Sequence, residues 1–169
     1  MSRINSGMMS SNRDDWETPQ DLFDRCDAIW HFDLDVASSD KNAKCEHHFT
    51  KEDDALNMSW QGHVSWCNPP YGRDISKFVR KAALESRKPN TVIVGLIPAR
   101  TDTSWWWEWV VPYADEIQFL RGRVRFCLDG EPQQSAPFPS CLIRWGGRFH
   151  APQKNNRPFG ALIVTGGGT

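Results

Sequence analysis

The chain has 169 residues, 39% of them hydrophobic, with nine Trp and nine Phe, enough for one substantial core and too little for a second full domain. Its net charge of −1 excludes a uniformly basic nucleic-acid coat. The charge is nevertheless uneven, with residues 1–70 and 101–116 acidic and residues 71–100 and 117–169 basic, so the fold can turn a basic face toward a polyanion or simply solvate its surface with these charges.

Residues 1–14 are polar, without periodicity, and read as a flexible segment. Thr18-Pro19 has the form of an N-cap followed by proline at the first helical position. Leu22, Phe23, Cys26, Ile29 and Trp30 then mark one apolar helix face. Phe32 to Val36 predicts a short strand with Asp33 and Asp35 toward its end, and residues 37–48 are turn-prone. His63 to Cys67 predicts a second strand that runs into Asn68-Pro69-Pro70-Tyr71.

Phe78, Val79, Ala82 and Ala83 place a helix over residues 76–87, and Thr91 to Ile97 has the continuous β-branched character of a buried parallel strand. Residues 102–111 predict a further helix in which Trp105 and Trp109 share a core face. Glu116 to Leu120, Arg123 to Cys127 and Ser140 to Trp145 predict strands, the first two close enough to pair as a hairpin. Strands alternating with helices imply an α/β fold, with ligands bound beyond the carboxyl ends of the strands.

No apolar run approaches the roughly 20 residues that cross a bilayer. The polar N-terminus lacks a secretory pattern, and a soluble cytoplasmic protein without membrane contact is expected. The five Cys, at 26, 45, 67, 127 and 141, show neither disulfide nor zinc-module spacing. Cys45, His47, His48 and Cys67 make poor tetrahedral ligands, so no metal is expected.

The strongest motif is Asn68-Pro69-Pro70-Tyr71. Two prolines after a strand cannot continue its ladder and make a rigid loop. The Asn68 side-chain oxygen and the Pro69 carbonyl can then each accept one N–H of a conjugated amino group, favouring the tetrahedral nitrogen that forms as it attacks a methyl. Tyr71 offers a face for stacking a base, and a duplex base must flip out to reach it.

Together with Trp16-Glu17-Thr18-Pro19, Phe32 to Ala37, Leu96 to Thr103 and Gly122-Arg123-Val124-Arg125-Phe126, this loop resembles the phage-type DNA N6-adenine methyltransferases of the small Dam-like family, from Trp16 to about Trp145. The resemblance implies a Rossmann-like S-adenosylmethionine-dependent methyltransferase fold, with a mostly parallel central sheet, helices on both faces and residues 15–150 as catalytic domain. Residues 151–169 would be a tail with room for one further strand. It implies transfer from S-adenosylmethionine, leaving S-adenosylhomocysteine, to a flipped adenine in double-stranded DNA, with evasion of restriction as a natural purpose.

On this pattern Asn68, Pro69, Pro70 and Tyr71 are catalytic. Trp16, Thr18, Pro19, Asp35, Ala37, Asp54 and Asn68 hold the cofactor, with Asp35 paired to its ammonium group. Arg100, Arg123 and Phe126 join Tyr71 on the substrate. The chain departs from the broader methyltransferase pattern at Asp35-Val36-Ala37-Ser38-Ser39, which has no Gly-x-Gly. Because the amide of glutamine is conjugated as well, a protein glutamine methyltransferase and an RNA adenine methyltransferase remain alternatives, and the Trp-rich stretch keeps open a non-catalytic nucleic-acid-binding module.

Overall fold

The computed structural model describes residues 16–147 and the backbone of residues 160–163. The expectations for residues 1–14 and for the rest of the tail lie outside the described residues. The elements in chain order are α1 (Gln20–Trp30), β1 (Leu34–Asp35), β2 (Val64–Cys67), α2 (Ile75–Glu85), β3 (Val92–Pro98), a π-helical turn (Trp106–Val110), β4 (Glu116–Leu120), β5 (Cys127–Leu128), β6 (Glu131–Pro132), β7 (Ser140–Gly146) and β8 (Gly160–Ile163).

Six strands form one sheet in the order β1-β2-β3-β7-β4-β8, and β5 and β6 form a separate hairpin. The pairings of β1 with β2 and β2 with β3 are parallel, while β3–β7, β7–β4 and β4–β8 are antiparallel. The sheet is therefore mixed, against the mostly parallel one expected. The reason is that β7 inserts between β3 and β4 running opposite to both, which the apolar run Ser140 to Trp145 does not reveal because a buried strand reads alike in either direction.

Both faces are covered. Trp66 of β2 packs edge-on against Phe23 of α1 at 5.5 Å, and on the same face Arg144 of β7 lies over the Trp30 ring at the end of α1. The register puts Ile93, Gly95, Ile143 and Trp145 on the opposite face. There the Trp145 indole donates to the Trp109 carbonyl of the π-helical turn at 3.2 Å. A Cβ at Gly95 would stand 2.9 Å from the Trp145 ring, so glycine makes room for that ring in the middle of a strand. The buried Trp60, Trp66 and Trp145 are among the largest core side chains.

Local differences from expectation have local causes. The Thr18 hydroxyl does not cap α1, because Pro19 itself is the N-cap and Thr18 is buried beside it. The Trp-rich segment closes on an i→i+5 bond from Val111 N–H to the Trp106 carbonyl. This wider turn buries Trp105 and Trp106 in place of the Trp105–Trp109 pair, stacks half-buried Trp109 on Tyr113 and leaves Trp107 62% exposed. Residues 123–126 form no strand and do not pair with β4, which is flanked by β7 and β8; the Val124 and Phe126 carbonyls accept the Ala136 and Gln133 N–H groups at 2.8 Å each. The hairpin is instead β5–β6, joined by Asp129 and Gly130 with φ of 50° and 79°, the positive pair that a two-residue type I′ turn requires.

Candidate active site at the carboxyl edge of the sheet

The parallel strands β1, β2 and β3 end on one edge, and Val36-Ala37, Asn68-Pro69-Pro70-Tyr71 and Ala99-Arg100 leave from it. Because β7 is antiparallel, its start brings Pro137-Phe138-Pro139 to the same edge, where Ala99 N–H bonds the Pro139 carbonyl at 2.9 Å. Loops from four strands thus converge there.

The half-buried Asn68 is held by one side of its amide. Its Nδ2 donates to the Trp16 carbonyl at 2.5 Å. Since that carbonyl can only accept, the nitrogen must face it and Oδ1 must face away. Oδ1 is buried without a hydrogen-bond partner among the described residues. A buried acceptor without a donor costs about 1–3 kcal/mol, so a ligand that brings an N–H is welcome there.

A cavity of about 880 Å³ opens beside it, within the range of small-molecule sites. Trp16, Ala37, Asp54 and Asn68 line it, as does Pro70, along with Phe49, Leu56, Asp74 and Phe78, none of which the sequence patterns assigned to a site. Asp35 lies behind this wall, 2% exposed. Its Oδ1 accepts the Ala37 N–H at 3.2 Å and its Oδ2 the Lys44 N–H at 3.0 Å, pinning the 37–44 loop. Burial raises its carboxyl above the usual range, against the pull of those two backbone bonds. Thr18 borders a smaller adjoining cavity of about 470 Å³, with Lys41 and Lys44, and Pro19 borders a groove on another side.

Tyr71 and Phe126 differ from the open stacking surface expected of them. Tyr71 is 4% exposed, its hydroxyl donates to the Leu96 carbonyl at 2.8 Å, and Phe126 is fully buried. Their rings meet at 5.7 Å and both pack on Phe138, with Trp16 closing the cluster against Phe126 at 5.4 Å. Burial drives the Tyr71 phenol well up, so it stays protonated. Exposed Arg100 caps the cluster, its guanidinium 5.9 Å from the Phe138 ring centre. Phe138 had a sequence signal, a Pro-Phe-Pro string abutting a buried strand, whose position becomes legible only once β7 is known to run antiparallel.

Exposed Arg123 lies elsewhere, in a groove of about 750 Å³ between α1 and residues 120–132, with Arg25, Arg121 and Arg125. Val124 and Phe126 point inward from this stretch and Arg123 and Arg125 outward, so one extended segment serves both the aromatic cluster and the groove.

Residues 5–153 match the family described as DNA N-6-adenine-methyltransferase (Dam). The chain belongs to this family. Among its relatives, the DNA N-6-adenine-methyltransferase of Haemophilus phage HP1 (strain HP1c1) is 32% identical over 143 residues, covering 82% of each chain. That of Escherichia phage T1 is 39% identical over 122 residues, or 70% of this chain and 49% of the phage protein. The matched range takes in every site element above, from Trp16 to Phe138, so the family likeness and the converging loops fall on the same residues. Among the described residues no three His, Cys, Asp or Glu gather as a metal site, and no helix is long and apolar enough to cross a membrane.

Proposed function

We propose that this chain methylates N6 of adenine in DNA, taking the methyl from S-adenosylmethionine, with Asn68 as the group that grips the amine. The observation that carries the reading is the Asn68 amide, whose nitrogen is engaged by Trp16 and whose buried oxygen has no donor among the described residues. An adenine amino group supplies such a donor, and its nitrogen becomes nucleophilic as its N–H bonds are drawn toward acceptors and its lone pair leaves the ring.

The residues present fit the cofactor. The cavity at Asn68 has the volume for it, with a carboxylate at Asp54, the apolar side chains Phe49, Leu56 and Phe78, and the small residues Ala37, Ser38 and Ser39 in its wall. When bound, S-adenosylmethionine supplies an electrophilic sulfonium methyl and leaves as S-adenosylhomocysteine. Trp16, Ala37 and Asp54 would hold it directly. Asp35 acts from behind by fixing the 37–44 loop, and Thr18 and Pro19 by fixing the approach of Trp16.

Asn68 Oδ1 and the Pro69 carbonyl orient the amine, and the two prolines keep both acceptors fixed. N6 gains the methyl and releases one proton to water, with no side-chain base required. A flipped base enters beside Tyr71, and the closed cluster of Tyr71, Phe126 and Phe138 makes room for it by moving Phe138, its most exposed phenylalanine. Arg100 and Arg123 take phosphates of the duplex. The parallel β1–β3 edge, with α1 on one face of the sheet and the π-helical turn on the other, supports a Rossmann-like methyltransferase arrangement with the antiparallel strands added beside it.

The test is incubation with methyl-labelled S-adenosylmethionine and unmethylated DNA, RNA or cell-extract protein, followed by digestion. N6-methyladenine from DNA is expected. Label in glutamine or RNA, or DNA binding without transfer, would replace this reading with another.

A further inference from the structure

The proposed chemistry depends on which way the Asn68 amide points. Turned by half a rotation, it would present donors to an amine that must itself donate, and attack would be disfavoured. One contact, from Nδ2 to the Trp16 carbonyl, selects the productive orientation, so whatever fixes that carbonyl fixes the catalytic acceptor.

Trp16 is followed by Glu17, which is tied down four times. Its backbone makes an antiparallel bridge with Cys127, Glu17 N–H to the Cys127 carbonyl at 3.2 Å and Cys127 N–H to the Glu17 carbonyl at 2.9 Å. Its carboxylate spans the tip of the β5–β6 hairpin, Oε1 accepting the Asp129 N–H at 3.2 Å and Oε2 the Gly130 N–H at 3.0 Å. The positive φ at both turn residues sets these two amides to bind one anion. The Trp16 carbonyl belongs to the same planar peptide group as the Glu17 N–H and is fixed with it, while the Trp16 ring is held against Phe126 and Phe138.

We propose that Glu17 is a positioning residue for transfer. By clamping the β5–β6 hairpin it holds the Trp16 carbonyl where it orients Asn68. This rests on the role of Asn68 given above. A carboxylate suits the task because its two oxygens take both turn amides at once, in bonds stronger than those of neutral acceptors. Glu17 also borders the large cavity, so the test separates orientation from cofactor binding.

Turnover and the dissociation constant of S-adenosylmethionine are measured for wild type, Glu17→Ala, Glu17→Gln, Asn68→Ala and the Glu17→Ala/Asn68→Ala double variant. Glu17→Ala is expected to lower kcat between about 10- and 10²-fold, the scale of an ångström misplacement, with the loss on kcat and not on cofactor affinity. Glu17→Gln, which keeps one acceptor, recovers part of it. In the Asn68→Ala background the Glu17 loss disappears, because there is no amide left to orient.

An independent reading comes from the side-chain amide resonance of Asn68, assigned by its absence in Asn68→Ala. It is expected to be protected from exchange in wild type and to lose protection in Glu17→Ala. Unchanged protection, a loss confined to cofactor affinity, or losses that multiply in the double variant would each overturn the proposal. Full activity of Asn68→Ala would overturn the functional reading and this one with it, whereas an inactive Asn68→Ala beside a fully active Glu17→Ala would remove this one alone.

Discussion

Two buried polar groups at opposite edges of the sheet are treated in opposite ways. At the edge where β2 and β3 begin, the Glu85 carboxylate, 3% exposed, accepts from Lys81 and Lys88 at 2.7 Å each and from the Trp60 backbone at 2.9 Å. At the edge where they end, Asn68 keeps an oxygen with no donor among the described residues. Glu85 follows the rule that buried polar groups are satisfied. Asn68 departs from it, as do the Ser38, Ser65 and Ser140 hydroxyls and the Trp66 indole N–H among the described residues, but of these only Asn68 is the residue that the loop chemistry selects.

The comparison breaks most severely at Asn68. Asn68→Ala should lower turnover by about 10²–10³-fold, on the scale of a lost oxyanion donor, while the free energy of unfolding moves by under about 1 kcal/mol, because loss of the Nδ2 bond to the Trp16 carbonyl is offset by removal of a buried oxygen that has no donor among the described residues. Labelled-methyl assays beside denaturant titration check both, and a large stability loss would make the asparagine structural.

Glu85→Ala should do the reverse. Unfolding becomes easier by about 2–3 kcal/mol, below the full cost of breaking a buried pair because both lysines reach solvent, with turnover per folded molecule kept. Burial alone would raise the Glu85 carboxyl, but its lysine and backbone partners outweigh burial and hold it below the usual range. Its stabilisation is therefore present above the unfolded pKa and lost as pH falls through the lower folded one. The stability gap between wild type and Glu85→Gln should close below about pH 4. Asp35 has the opposite sign, since burial raises its carboxyl and its ionised form weighs against folding as pH rises.

Smaller effects sharpen the picture within the functional edge. Tyr71→Phe keeps the ring but leaves the Leu96 carbonyl without its donor, and calorimetry should record a loss of about 1 kcal/mol with turnover close to wild type. Arg123→Ala should weaken DNA binding about equally for all sequences and reduce the salt slope by about 0.9, the release of one counterion. A changed sequence preference would instead place Arg123 on a base edge.

Much of this was legible before folding. The strand ahead of Asn68, the proline pair and the apolar run Thr91 to Ile97 put the loop at a carboxyl edge by local pattern alone, and the structure keeps them there. What pattern does not carry is pairing at distance. The Asn68–Trp16 bond joins residues 52 apart, and the burial of Tyr71 is made by Phe126 and Phe138, so a tyrosine on a loop reads as open when it is closed. Asp129-Gly130 was a readable turn signal, but its flanking strands are two residues each and too short for alternation to appear. Asp35 read as a ligand for charge because an acidic strand end looks the same whether its oxygens face a cavity or the N–H groups of Ala37 and Lys44.

The insertion of β7 between β3 and β4 also bears on the order of assembly. During synthesis β3 and β4 emerge before the strand that joins them, after the residues of the Asn68 loop. Neither the sheet nor the Phe138 side of the aromatic cluster can close until the segment from Phe138 to Gly146 has followed. A chain stopped before that point carries the Asn68 loop and the residues of α1, β2 and α2, yet lacks Phe138, which packs on Tyr71 and Phe126. The base site proposed above therefore cannot be complete before β7 has paired between β3 and β4.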